Sequence, residues 1–171
     1  SVLLLWFYKN NSYVSIPEKN STLPLRIKIP VISVDANVES VGITPNGEMD
    51  TPEGPSNAGW YNMGPKPGEP GSAVIDGHSG WRNNTPAVFD NLYKLKKGDD
   101  IHIENEQEEI LIFKVREIRK YNPNADTKEV FFSDDSGAHL NLITCEGIWN
   151  EVTQSHSERL VVFTDLQVDL E

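Results

Sequence analysis

The stretch His139–Asp165, HLNLITCEGIWNEVTQSHSERLVVFTD, decides how the chain reads. Its first part alternates: Leu140, Leu142 and Thr144 fall on one face of an extended strand, Asn141, Ile143 and Cys145 on the other. Its last part alternates again, with Arg159, Val161 and Phe163 sharing a face. If these two strands pair antiparallel, the end of the first lies beside the start of the second, and Cys145 becomes a neighbour of Arg159. Cys145 is the only cysteine in 171 residues, and it stands at a strand end, where a side chain can reach an open rim. A cation beside a thiol favours the thiolate, and the guanidinium's fork of donors can hold a developing oxyanion. The joining segment, Glu146–Glu158, reads as a loop too long for a tight hairpin and of a length that often carries function.

Working outward, the same alternation recurs in short runs separated by turn chemistry. LRIKIPVIS and DANVESVGI are followed by the turn signal Asn46-Gly47. TPEGPSNAGWYNMGPKPGEPG is too rich in Pro and Gly for a long helix. SAVIDGH is a short strand ending at His78. TPAVFDNLYKL opens with Thr85 and Pro86, an N-cap followed by a first-turn proline, and predicts a short helix. GDDIHIENE and EILIFKVREIRKY supply two further strands. About eight short strands with few helices predict an all-β barrel or sandwich.

Composition narrows the function. Fifteen Lys and Arg against 26 Asp and Glu give a net charge of −11, and no run of five or more basic residues occurs, so a nucleic-acid partner would be repelled. One cysteine excludes an internal disulfide and a multi-cysteine zinc site. The acids Asp134 and Asp135, and Glu106, Glu108 and Glu109, form two clusters of the kind that can hold calcium; with this much negative charge they read as solvated faces, and no metal is expected. The apolar run Val2–Tyr8 is far shorter than the ~20 residues that span a bilayer. With the polar stretch Lys9–Thr22 it reads either as the remnant of a membrane anchor and its linker or as a first strand. We expect the former, hence an anchor segment over 1–22 and a catalytic domain over 23–171.

A cysteine nucleophile needs a proton shuttle. His102 lies mid-strand on a polar face, His139 begins the cysteine's own strand, too far along it to touch the thiol, and His156 sits in the joining segment. His78, in DGHSG, has glycines on both sides that leave its ring open to a substrate. From spacing alone it reads equally well as a turn histidine.

The combination GHSG, then AVFDNLYKLKKGDDI, then LNLITC, then an arginine opening RLVVF resembles the sortase family of cysteine transpeptidases, over roughly Leu25–Leu166. TCEGIWN and the shape of the last connection are more similar to the class F group and its class D and E neighbours than to class A or B. The resemblance implies a closed eight-stranded sortase-type β-barrel with short helices in its connections. It implies a catalytic His78, Cys145 and Arg159, with the backbone N–H of Glu146 joining Arg159 at the oxyanion. It also implies cleavage of a Leu-Pro-x-Thr-Gly-like sorting signal and transfer of the acyl group to an amine of a cell-wall peptide or a pilin. No cofactor is implied. The partners implied are surface proteins bearing the signal, the amine acceptor and, through an N-terminal anchor, the outer face of a Gram-positive-type membrane. Thr144, Trp81, Trp149 and Val161 are the candidate substrate-contacting residues, though Thr144 reads equally as a strand threonine and each tryptophan as core. A cysteine hydrolase that uses water as acceptor and a ligand-binding barrel without catalysis are the competing readings.

Overall fold

The computed structural model describes residues 22–168; the expected anchor segment, apart from Thr22, lies outside them. Eight strands close a barrel: β1 (Pro24–Ile29), β2 (Val34–Val41), β3 (Ala58–Tyr61), β4 (Gly71–Asp76), β5 (Asp100–Asn105), β6 (Ile110–Tyr121), β7 (Ala138–Asn150) and β8 (Ser155–Leu166). Around the barrel the order is β1-β2-β3-β4-β7-β8-β6-β5. The pairs β2/β3 and β4/β7 are parallel and the rest antiparallel. Closure leaves no free sheet edge to pair with another chain.

Alternation sorts side chains to the two faces of the wall. Ile27, Ile29, Ile75, Ile101, Ile103, Phe113, Leu140, Leu142 and Val162 fill the interior and are fully buried. Each such side chain contributes about 1.5–3 kcal/mol by leaving water. A second, smaller cluster lies on the outside of the wall: Val74, Val130, Val161 and Phe163, with Met49, Tyr61, Tyr121, Phe131 and Ile143 against them. The one-turn helix α1 (Lys128–Phe131) supplies Val130 to this cluster, and Asn141 Nδ2 donates to the Val130 carbonyl at 2.7 Å. Strand β4 is thus covered on both faces, which is why Ser72–Asp76 are buried without a break.

Three expectations change. The eighth strand, β3, lies inside the Pro- and Gly-rich stretch, where four residues are too few for a visible period. The short helix expected from Thr85 and Pro86 is absent: Thr85 ends a 3₁₀ turn over Arg82–Asn84, and Leu92–Lys94 forms another. The buried residues Phe89, Leu92 and Leu95 are three apart, the step at which side chains eclipse along a 3₁₀ turn. Their N–H groups follow suit, with Leu92 donating to Phe89 and Leu95 to Leu92. Finally, Glu146–Glu158 is not a loop. β7 and β8 run on as an extended hairpin through a bulge between Glu146 and Trp149, leaving only residues 151–154 as a turn.

Candidate active site

Cys145 on β7 pairs directly with Arg159 on β8. By alternation both belong to the outer face of the wall, in line with Ile143 and with Val161 and Phe163 of the outer cluster. The opposite parity, Leu140, Leu142 and Leu160, is interior.

The third residue is delivered by β4. This strand runs parallel to β7, with Asp76 opposite Ile143. The contact continues past the strand end: Gly77 N donates to Ile143 O at 3.2 Å, and Thr144 Oγ1 donates to Gly77 O at 2.8 Å. The next residue, His78, is therefore released beside the Cys145 end of β7 and on the outer face by the same parity. Gly77 has no substitute here, because a β-carbon would stand 2.6 Å from both Phe89 Cδ2 and Val88 Cγ1. The His78 carbonyl in turn accepts from Phe89 N at 3.0 Å. His78 Nε2 lies 2.8 Å from Pro52 O. A carbonyl only accepts, so Nε2 carries the hydrogen and Nδ1 is the nitrogen left for chemistry. Trp81 packs its ring edgewise on His78 at 4.7 Å.

Electrostatics set the resting state. Burial pushes the Cys145 thiol above its ordinary value, and the charge of Asp76 adds to this while Arg159 opposes it. The guanidinium favours the thiolate, as the residue types suggest, but burial outweighs it, and the cysteine rests as a thiol. The carboxylates beside Arg159 are engaged elsewhere: Lys120 Nζ reaches Glu146 at 3.3 Å and Glu158 at 3.8 Å. Among the described residues Arg159 has no carboxylate partner; its Nη1 donates only to the Glu158 carbonyl at 3.3 Å. Its fork is available to an incoming oxygen.

The other predicted residues separate. Val161 is buried in the outer cluster below the pair. Thr144 is 4% exposed with its hydroxyl bonded to Gly77, so it ties the two strands together. Trp149 lies elsewhere. It packs on His156 at 5.1 Å, beyond the β7 bulge, in a separate groove with Asn122, Pro123 and Asn124. His139 is held at the far end of β7 by Asp165 and Asp135, both at 2.7 Å, and His102 sits on β5 opposite Ile112.

Two features escaped the sequence. A groove of about 560 Å³, lined by Met49, Tyr61, Met63, Phe131 and Phe132, opens at the Ser72 end of β4. Ser72 pairs with His139, so the groove lies six residues of β7 from Cys145, roughly 20 Å at about 3.3 Å per residue. Its residues come from three distant segments and share no pattern. The second is Asp76, a carboxylate within an otherwise apolar strand; a charge in such a run was the available signal.

The chain resembles known proteins in sequence and fold. The Sortase domain family model matches residues 27–167. Among solved structures, sortase A from Corynebacterium diphtheriae matches at 30% identity and a TM-score of 0.66, covering 87% of this chain and 62% of its own. Sortase C-1 from Actinomyces oris matches at 25% identity and a TM-score of 0.67, covering 85% of this chain and 76% of its own. Streptococcus agalactiae sortase C1, at 23% identity and a TM-score of 0.66 over 86% of this chain and 68% of its own, shares the fold. The chain thus spans about three fifths of the Corynebacterium chain it matches. No curated protein matches it.

Proposed function

Because the chain belongs to the sortase family, we propose that it is a cysteine transpeptidase whose nucleophile is Cys145. The observation that carries the reading is the direct pairing of Cys145 with an Arg159 that has no carboxylate partner among the described residues.

The reaction is acyl transfer in two steps. The thiol gives its proton to His78 Nδ1, and the thiolate attacks a peptide carbonyl carbon. The oxyanion forms against the Arg159 fork and the backbone N–H of Glu146. His78 returns the proton to the departing amine as the C–N bond breaks, leaving a thioester on Cys145. An incoming amine then attacks the thioester and loses a proton to His78; the C–S bond breaks, and the cysteine thiolate takes that proton back from His78 to restore the resting thiol. Because burial keeps the resting thiol protonated, attack draws on a minor thiolate population at neutral pH.

The substrate is a peptide whose scissile bond reaches Cys145 at the end of β7 beside His78. Trp81 walls the reacting end beside His78, and the apolar groove at Met49, Tyr61, Met63, Phe131 and Phe132, roughly 20 Å along β7, is open to residues further upstream of the cut. The signal is Leu-Pro-x-Thr-Gly-like and is cut after its fourth residue. The acceptor is an amine of a cell-wall peptide or a pilin, and the site of action is the outer face of the cell membrane, with an N-terminal anchor.

The test is incubation with signal peptides, with and without an amine acceptor, followed by mass spectrometry. A thioester on Cys145 and an amine-dependent ligated product are expected. Cleavage unaffected by the amine would replace transfer with hydrolysis, and no acyl-enzyme with any peptide would overturn the reading.

A further inference from the structure

Asp76 lies on the outer face of β4, the face that also carries Cys145 on the neighbouring parallel strand β7. It is 8% exposed, and its Oδ1 has no hydrogen-bond partner. The space it occupies is built for it. Gly59 pairs with Asp76 across the β3/β4 ladder, and a β-carbon on Gly59 would stand 2.7 Å from Asp76 Oδ1. The same β-carbon would meet Val41 Cγ1 at 2.9 Å and Pro52 Cδ at 3.2 Å. The carboxyl is therefore enclosed beneath Pro52, whose carbonyl holds His78.

The charges around it are acidic. Asp50 and Glu39 act on it from the β2 side, and Cys145, two residues beyond its β7 partner Ile143, feels its charge. Arg159 acts on Cys145 from β8. His78, two residues along, has its Nε2 on Pro52 and not on the carboxyl. Among the described residues no cation pairs with Asp76. A buried carboxyl in such surroundings takes up a proton in preference to standing as an unpaired anion.

We infer that Asp76 is a positioning residue that acts through Cys145: held in its neutral acid form it permits the thiolate, and once ionised it sets a buried anion against it. This rests on the assignment of Cys145 as nucleophile. Burial, with Asp50 and Glu39 adding, pushes Asp76 up to about 8. Below that pH the thiol feels burial and Arg159. Above it Asp76 loses its proton first, and each further step toward the thiolate meets two like charges on one face. The proton is released to solvent and no bond to carbon is made or broken. The consequence is a thiol whose ionisation spreads over a wide pH range, because the two groups titrate as a coupled pair.

The experiment is the rate of Cys145 alkylation by iodoacetamide from pH 5 to 11, on the folded chain and on Asp76→Asn, with circular dichroism at each pH. Asparagine keeps the size and stays neutral. Its profile is expected to match the parent below about pH 7 and to lie above it beyond pH 8. The midpoint should fall, with alkylation severalfold faster than the parent on the rising limb. Superimposed profiles, or a slower Asn variant with the fold intact, would overturn the inference. Should the variant fail to fold, the parent alone decides: a curve broader than one proton supports coupling, and a simple one-proton curve excludes it. Alkylation needs no peptide. A shifted profile without peptide cleavage would sink the transpeptidase reading alone, and cleavage with superimposed profiles would sink the role of Asp76 alone.

Discussion

Cys145 and Arg159 are direct partners across the β7/β8 ladder, and the guanidinium opposes the burial that keeps the thiol protonated. Removing either should disable the site without unfolding the barrel, since neither belongs to the interior cluster. Cys145→Ala is expected to form no acyl-enzyme by mass spectrometry. Arg159→Ala should lose about a hundredfold or more in kcat/KM, the scale of a lost oxyanion donor. Arg159→Lys should recover little of it, because a point charge does not replace a planar fork. Full peptide turnover in Arg159→Ala would remove the residue from the mechanism.

His78→Ala should lower kcat by about a hundredfold or more, the contribution of a general acid and base. His102→Ala is the control, since His102 sits on β5, paired with Ile112 and Lys28. Equal damage in both would show that the loss at His78 is structural.

Gly77→Ala should both destabilise the fold and impair turnover. The added methyl meets Phe89 and Val88 at 2.6 Å, and overpacking of this kind costs about 1–3 kcal/mol. The segment carrying His78 must shift to relieve it. Thermal unfolding and kcat measured on the same sample check the prediction; an unchanged melting temperature would contradict the close packing.

Asp76 also leaves a signature on stability. Its folded value, about 8, lies above the ordinary carboxylate range, so between roughly pH 4 and 8 the folded state holds a proton that the unfolded state has released. Stability then falls as pH rises through that window. Asp76→Asn should flatten the decline, and melting curves at pH 5 and pH 8 measure it. A steeper decline in the variant would contradict the sign.

His139 tests a second linkage at the opposite end of β7. Burial lowers its proton affinity, but bonds to Asp135 and Asp165 outweigh this and leave it raised. A histidine raised on folding stabilises fully below its unfolded value of about 6.5 and loses that contribution as pH rises through its folded value. The two carboxylates are exposed, so the effect should stay within about 1 kcal/mol. His139→Gln is expected to lower the melting temperature at pH 5 more than at pH 9, with peptide turnover unaffected.

Much of this protein follows from local pattern. The two faces of LNLITC and RLVVF are an alternation of period two, and any strand obeys it. That alternation alone puts Cys145, Arg159 and Val161 on one face, and the glycines flanking it put His78 at the end of SAVIDGH. Local pattern failed where the backbone conformation is chosen by what packs on it. Phe89, Leu92 and Leu95 are all buried in the core, and the chain there closes i→i+3 bonds, Leu92 to Phe89 and Leu95 to Leu92, whatever Thr85 and Pro86 favour. Glu146–Glu158 contains a glycine and several polar residues, but pairing across the ladder pulls it into strands. Thr144, by contrast, turns inward by the same alternation as Leu140 and Leu142, and the Gly77 carbonyl accepts its hydroxyl there.

The chemistry divides in the same way. Residue types and their order along the chain determined which groups could react. Their ionisation was decided by the tertiary structure alone, because the free energy of a charge depends on what surrounds it. Burial of the thiol against Arg159, and of Asp76 among Asp50 and Glu39, comes from strands β2, β4, β7 and β8 meeting in one wall. No spacing along the sequence encodes that distance.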